Sequence, residues 1–577
     1  MDLTTSSGVP GRATLRVDVR AAVAVVEDGV ADDVPPVLRR LAAGVLLAGV
    51  GELRVLRLDE VPTRVHVRAD ETSATVAVEP LEALPYGLSR RELEVTTLLV
   101  AGLTNARIAE RLAIGARTVG THVDRVLSKL GVASRGAAAA RALDEGLVVV
   151  PPPGGAGGFE QLRLGRALAA AERPPSGRPP VRAPRRRPLR VGALLPLTGA
   201  ATADAREMEQ GARLAIEEIN AVGGVAGRPL ELRAADVDPQ DAATIDRGFE
   251  VLLAADVDVL TSGYLACQDL AHELAAGVGV PYLHAATSGV MERRAADDPG
   301  RYARVFQVCP SDVHYGPHFV DYLSGLRDRG AWRPDSRRLL AVRQPAWELV
   351  DLGLQQAAQH AADRGWELAV DAPTAGGWHA AGARAAADDP AAVMMGSYLV
   401  DDHVAFVEGF RGAGGAGLLY GIYAPSVPEL RVRLGALADG ILWATTTGTY
   451  PDRLGRAFAA RYARRFGAVP GRSHAGIAYD RVHLVAGAWA TTDFRDFAAV
   501  AGHLRRSVHR GVNGAYCFDA PGQTAQTWTG GAGDPSLAQA HLVHQIQGGR
   551  QRVVSPATYA DGEFVLPAWV AGSPGRG

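Results

Sequence analysis

Most of the spacings in this 577-residue chain that resemble covalent or metal chemistry fail in one detail. GRSHAG at 471–476 puts its second glycine out of place for the nucleophile elbow G-x-S-x-G. GAGGAG at 412–417 satisfies a dinucleotide pattern, but it follows the helix-like AFVEGFR instead of a strand, which favours a loop. His541 and His544 stand three apart without acids or cysteines at ligand spacing, so no metal site is expected. The three cysteines, Cys267, Cys309 and Cys517, are widely separated and form no Cys-x-x-Cys, supporting neither a zinc ribbon nor a disulfide framework. No P-loop occurs. No catalytic residue, cofactor or metal is assigned, and the sequence points away from an enzyme. One polar set does have a regular spacing. Arg117, Gly120, Thr121, Asp124, Arg125 and Ser128 would share one face of a helix whose other face carries Val119, Val123, Val126, Leu127 and Leu130.

The elements that must position that face are legible around it. Ser89 stands three residues before Glu92, the spacing of a capping box, and opens a helix carrying Leu93, Leu98 and Leu99 that Gly102 ends. Thr104 can cap a second helix with Ile108 and Leu112, and Ala113-Ile114-Gly115 makes a tight turn into the third. Gly131 can close the third helix in a left-handed conformation.

This segment resembles the LuxR/FixJ-type helix-turn-helix domain, through LSRRELEV, GLTNARIAERL and RTVGTHVDRVLSKLGVASR. The resemblance implies a four-helix unit over 85–147, with Arg135 to Leu147 as the fourth helix and the third helix entering the major groove of double-stranded DNA. It implies DNA contacts from Arg117, Thr118, Gly120, Thr121, Asp124, Arg125 and Lys129. Two positions depart from the family: Gly120 stands where a lysine is usual, and Asp124 where a basic or polar residue is common. An aspartate is repelled by phosphates and can at best accept from a cytosine amino group. Residues 86–147 hold nine Arg/Lys against six Asp/Glu, a balance of only +3. Weak binding by one copy follows, and a homodimer over two half-sites would remedy it.

Length and composition bound the rest. A chain this long exceeds one core and implies several units. Its net charge of −2 makes any nucleic-acid footprint local. No signal-peptide pattern opens the sequence, and the apolar run Leu41 to Val50 is too short to span a bilayer, so a cytoplasmic protein without membrane contact is expected. Residues 1–80 contain a small α/β unit, with strands at Ala21 to Val26, Glu52 to Leu58, Arg64 to Arg68 and Ser73 to Val78 and a helix at Val34 to Leu47; packing or dimerisation is its expected role. Residues 148–188 form a Pro/Gly/Arg-rich linker. Within 160–190 there are nine arginines against two glutamates, and Arg182 and Arg185 to Arg187 could touch DNA phosphates.

From Leu189 onward strands and helices alternate: LRVGALLP, LELRAADVD, DVDVLTSG and VPYLHA, then a second half with RRLLAVRQ, WELAVDAP, AAVMMGSY and GLLYGIYA. Alternation of this kind implies parallel sheets covered by helices, and two halves imply a cleft. The stretch VGALLPLTGAATADAREMEQGARLAIEEINAVGGVAGRPLEL resembles type I periplasmic binding proteins of the branched-chain amino acid, amide and urea group. VFQVCPSDVHYG, MMGSYLVDDHVAFVEGFR and FAARYARRFGAVPGRSHAGIAYDRVHLVAGA extend the resemblance over 189–577. It implies a two-lobed domain that closes on a small polar ligand, with contacts from Cys267, Ala285, Ala286, Thr287, Trp347, Tyr398 and Tyr423. Branched-chain receptors place an acid in the last contact loop to hold an α-ammonium. None stands near Tyr423 in sequence, which favours an amide, urea or other neutral ligand over a plain α-amino acid.

The combined expectation is a multidomain α/β protein: a small N-terminal α/β unit, a four-helix LuxR-type helix-turn-helix and a two-lobed binding-protein domain. Its expected function is one-component, DNA-binding transcription regulation by a sensor of a small polar ligand. The alternative is a cytoplasmic solute-binding or scaffold protein with little DNA affinity.

Overall fold

The computed structural model describes residues 13–18, 24–26, 36–47, 52–69, 73–132, 134–154, 187–199, 201–221, 224–345, 349–374, 376–530 and 533–571. The linker residues 155–186, with Arg182, Arg185 and Arg186, lie outside them, as does Trp347. The chain divides into two compact units, one built on the residues up to Arg187 and the other on most of the chain from Pro188 onward.

The first unit opens with a five-stranded antiparallel sheet. Its strands are β1 (Ala13–Asp18), β2 (Ala24–Val26), β3 (Glu52–Leu58), β4 (Pro62–Ala69) and β5 (Ser73–Pro80), in the order β2-β1-β5-β4-β3. Helix α1 (Pro36–Leu47) buries Leu38, Leu41, Ala42 and Val45 against Val55, Val65, Val67 and Val76. Those alternate strand positions share one face because side chains flip at every residue. Strand β1 was not foreseen in the sequence.

Four helices follow: α2 (Arg90–Val100), α3 (Asn105–Leu112), α4 (Ala116–Leu130) and α5 (Arg135–Glu145). Ser89 and Glu92 form the capping box in both directions, Thr104 caps α3, and Ser134 caps α5. Gly131 and Gly146 end α4 and α5 in the left-handed region, as a C-terminal glycine does at low cost.

The buried side chains of this sheet, of α1 and of the four helices form one core running from Leu38 to Val150. The cause is the segment after α5. Val148 and Val150 pair with the free edge of β3, with Leu56 N donating to Val148 O and Val150 N to Leu56 O, both at 2.8 Å. Val149 N donates to Thr97 Oγ1 on α2 at 2.9 Å. Each buried valine or leucine in such a joint contributes about 1.5–3 kcal/mol.

The second unit has two lobes. The first holds a parallel sheet of β6 (Leu189–Leu195), β7 (Leu230–Asp236), β8 (Val259–Ser262), β9 (Tyr282–His284) and β10 (Val305–Gln307), ordered β10-β9-β8-β6-β7. The second starts with β11 (Arg338–Arg343), β12 (Glu367–Asp371), β13 (Ala392–Gly396), β14 (Leu418–Ile422) and β15 (Leu442–Thr445). Two short ribbons, β16 (Val508–Gly511) with β17 (Gly514–Cys517) and β18 (Gln526–Trp528) with β19 (Ala538–Ala540), precede β20 (Leu542–Gln547) and β21 (Arg550–Ser555). The second sheet is mixed, in the order β12-β11-β13-β14-β15-β20-β21, with β20 and β21 antiparallel. Helix α6 (Thr202–Ala221) follows β6.

His541 stacks on His318 with ring centroids 3.8 Å apart, and His544 stacks on Trp443 at 4.0 Å, so both are packed side chains. GAGGAG runs from the end of the helix Val400–Gly412 into β14. Among the described residues no helix is long and apolar enough to cross a membrane.

Candidate functional site

In the first unit the outer face of α4 stands as its spacing implies. Val119, Val123, Val126 and Leu130 are buried, while Arg117, Thr118, Thr121, Asp124, Arg125 and Ser128 are exposed. Among the described residues neither the Arg117 nor the Arg125 guanidinium pairs with an acid. Gly120 is half-buried, and a Cβ there would meet only Asn105 Nδ2 at 3.9 Å, so a side chain fits. Lys129 departs from the expected set. Its Nζ donates to Glu92 Oε2 at 2.7 Å and to Gly87 O at 2.8 Å, inside the domain. Glu92 is 3% exposed, so Lys129 neutralises a buried carboxylate at the start of α2.

In the second unit, the residues of interest lie beyond the carboxyl ends of parallel strands, where such sheets bind ligands. Asp204 opens α6 after β6, Tyr264 follows β8, Thr287 follows β9, Tyr398 follows β13 and Tyr423 follows β14. Thr287 and Tyr398 meet across the cleft, Oγ1 to Oη at 2.8 Å. Tyr264, Tyr398 and Tyr423 pack around one point, with centroid separations of 6.0, 6.3 and 5.8 Å. Tyr423 has φ +54° and ψ −55°, a strained conformation for a bulky residue. Beside these rings Tyr264, Gln268, Ala286, Thr287, Leu349 and Tyr398 line a small cavity of about 20 Å³, the size of one water. The lobes are therefore closed.

Ala285 is buried just behind that cavity. Cys267 is half-buried at the start of the helix Gln268–Val278, packs on the first lobe's core, and does not line the cavity. Tyr423 does not line it either, but its Oη lies 3.0 Å from His474 Nδ1.

Four residues were missed in the sequence: Asp204, Glu207, Tyr264 and His474. Asp204 accepts from Tyr264 Oη, and its Oδ1 lies 3.7 Å from His474 Nε2. Glu207, one turn along α6, accepts from Gly471 N at 2.7 Å. Gly211, a further turn on, brings α6 against the helix His474–Thr491; an added Cβ would sit 2.1 Å from Ala475 O. An acid of the first lobe, Asp204, thus lies beside His474, the hydrogen-bond partner of Tyr423. Burial raises the Asp204 carboxyl, against the opposing pull of His474 and Tyr264, and lifts Glu207 to about 8. Burial likewise lowers His474. The only sequence signal was the i, i+3 pair of acids on an otherwise apolar stripe of α6.

Asp312 ties the lobes behind the cavity, accepting from Gly289 N at 3.0 Å and from Asp351 N at 2.9 Å.

A family of bacterial regulatory proteins, luxR, matches residues 87–142, and a periplasmic binding protein family matches residues 188–531. The transcriptional regulatory protein LiaR of Bacillus subtilis (strain 168) is 48% identical over 58 residues, 10% of this chain and 28% of LiaR. The uncharacterized transcriptional regulatory protein YhcZ of the same strain is 44% identical over 61 residues, 11% of this chain and 28% of YhcZ. The chain thus spans well under a third of the length of these curated relatives. Among solved structures, a putative branched-chain amino acid ABC transporter from Silicibacter pomeroyi is 29% identical, with a TM-score of 0.59 over 66% of this chain and 100% of that one. The isoleucine-bound LivJ of Streptococcus pneumoniae is 19% identical, with a TM-score of 0.51 over 64% of this chain and 100% of that one, a likeness of fold alone. Neither matching family is one of enzymes. The chain belongs to the periplasmic binding protein family, and ahead of that domain it carries a helix-turn-helix domain of the luxR family of bacterial regulatory proteins.

Proposed function

We propose that this protein is a one-component transcription regulator that acts in the cytoplasm as a homodimer. The α4 face of Arg117, Thr118, Gly120, Thr121, Asp124 and Arg125 contacts double-stranded DNA, and a small polar ligand held between the lobes sets its affinity. The carrying observation is that Arg117 and Arg125 stand exposed and without acidic partners on a helix whose other face is buried. Lys129 supports the helix from within. Dimerisation offsets the small positive balance of one copy. Ligand closes the lobes through Ala286, Thr287, Tyr398 and Tyr423, and coupling of about 1–3 kcal/mol is enough to change operator affinity several-fold.

The test is a salt-dependent gel shift of the full chain on genomic fragments, with and without bound ligand. A ligand-dependent shift supports the regulator. A second reading, a solute-binding or scaffold protein with little DNA affinity, is favoured by the side-chain-free Gly120 and the exposed Asp124. It requires that no salt-sensitive shift be seen.

A further inference from the structure

A second recess lies at the opposite end of the first lobe's sheet. The interlobe residues follow the strands, whereas this cavity gathers around residues that precede β9 and β10. Its volume is about 140 Å³, room for several waters. Arg301 and Arg304 enter it from the turn before β10, and Arg505 enters it from the helix Phe497–Arg506. Alanines of that helix and of the helix Gln268–Val278 line the space between, and their single methyl groups keep it open. Among the described residues no acidic side chain lines it.

The three guanidiniums differ in how far protein groups satisfy them. Among the described residues that of Arg304 forms neither an ion pair nor a hydrogen bond, and its Nε is buried without a partner. Its Nη1 lies over Gly279, where an added Cβ would come within 3.0 Å, at the carboxyl end of the helix Gln268–Val278. A helix end of that kind attracts a cation, yet none of its carbonyls accepts from Arg304. Arg505 Nη1 donates to Ala303 O at 2.7 Å and to Gln523 Oε1 at 2.8 Å, both neutral acceptors. Burial and the adjacent Arg506 lower its guanidinium. Arg301 is the paired one: it shares Glu273 with Arg294 and the Tyr302 hydroxyl. Asp298 accepts from the Arg301 amide at 3.0 Å. Three cations thus converge on one cavity, and two of them meet no acid. Partly buried charges in that state favour an anion that enters among them.

We infer that this cavity binds the phosphate group of a small phosphorylated molecule, at a site separate from the interlobe cleft. Guanidiniums present planar forks that match the oxygens of a phosphate, which a lysine does not. A phosphate monoester at neutral pH carries close to two negative charges, the complement of the two arginines that no acid pairs. Bound there, it joins the turn before β10 to a helix about 200 residues later in the chain, as Arg505 already does through Ala303 O. The ligand therefore tightens the first lobe. The inference goes beyond the proposed function and does not rest on it.

The test uses the full chain at neutral pH. Inorganic phosphate and glycerol 3-phosphate are the probes, glycerol is the uncharged counterpart, and sodium chloride is matched for ionic strength. Titration calorimetry and the melting temperature are read. Both probes are expected to bind with dissociation constants below about 1 mM and to raise the melting temperature, and glycerol and chloride to do neither. Arg304→Gln should weaken both probes by at least about tenfold. Because Arg304 has no protein partner, that variant should leave the ligand-free melting temperature unchanged or raised. Arg304→Lys, which keeps the charge and loses the fork, should recover only part of the affinity. Silence toward both probes up to about 10 mM overturns the inference. So does an equal response to chloride, or undiminished phosphate binding by Arg304→Gln.

Discussion

Lys129 Nζ lies 2.7 Å from Glu92 Oε2, and Glu92 also closes the capping box of α2 through the Ser89 amide. One carboxylate thus joins the start of α2 to the end of α4. Lys129 is 37% exposed at its side chain, so the pair is worth less than a fully buried one. Lys129→Ala should lower the unfolding free energy by about 1–2 kcal/mol. Its effect on the salt dependence of DNA binding should be nil. Chemical denaturation and anisotropy titrations separate the two effects; a shallower salt slope with unchanged stability would make Lys129 a phosphate contact.

Gly120 offers the opposite test. Its φ is helical and the space above it is open to Asn105 at 3.9 Å. Gly120→Ala should stabilise the unit by about 0.5–1 kcal/mol, the helix-interior cost of glycine. Gly120→Lys should in addition tighten DNA binding and steepen its salt dependence by about one contact. A lysine variant that is more stable but binds DNA no better would place Gly120 away from the groove.

What the sequence disclosed was local. The capping box at Ser89–Glu92, the α4 stripe and the strands β6 to β9 and β11 to β14 all follow from spacing within one element. The cleft tyrosines Tyr398 and Tyr423 came from motif likeness. What stayed hidden depends on distant pairings. Asp204, Tyr264, Tyr423 and His474 come from four segments, and nothing within any one of them marks a shared site. The tail Val148–Val150 reads as the start of the linker until β3 supplies an edge. Lys129 looks like a surface lysine until Glu92 is placed under it. The strands after β14 were not assigned, because short antiparallel pieces carry little periodicity.

The lobes meet through Thr287 Oγ1 and Tyr398 Oη. A double-mutant cycle of Thr287→Val and Tyr398→Phe should give a coupling of about 0.5–1.5 kcal/mol in denaturant unfolding of the full chain. Zero coupling would mean that the lobes stand open in the ligand-free protein.

Stability should depend on pH through Glu207. Burial raises its carboxyl from 4.5 to about 8 in the folded protein. Between those values the folded state binds more protons than the unfolded chain, so stability falls as pH rises from 4.5 to 8 and levels off above. The buried imidazoles of His272, His314, His318, His403 and His509, held near 4, act the other way, adding stability as pH rises from 4 to 6.5. Glu207→Gln keeps an acceptor for Gly471 N and should remove up to roughly 4 kcal/mol of the loss on the alkaline side. The measurement is unfolding free energy from pH 5 to 9; an unchanged alkaline limb would show that Glu207 ionises normally.

The most direct measurement is the affinity of the full chain for duplex DNA across a salt series, beside the Arg117→Ala/Arg125→Ala double variant. Salt-dependent binding is expected, with the variant's log–log slope shallower by about two phosphate contacts and its thermal stability unchanged. Absence of DNA binding, or an identical slope in the variant, would contradict a DNA-reading role for the α4 face.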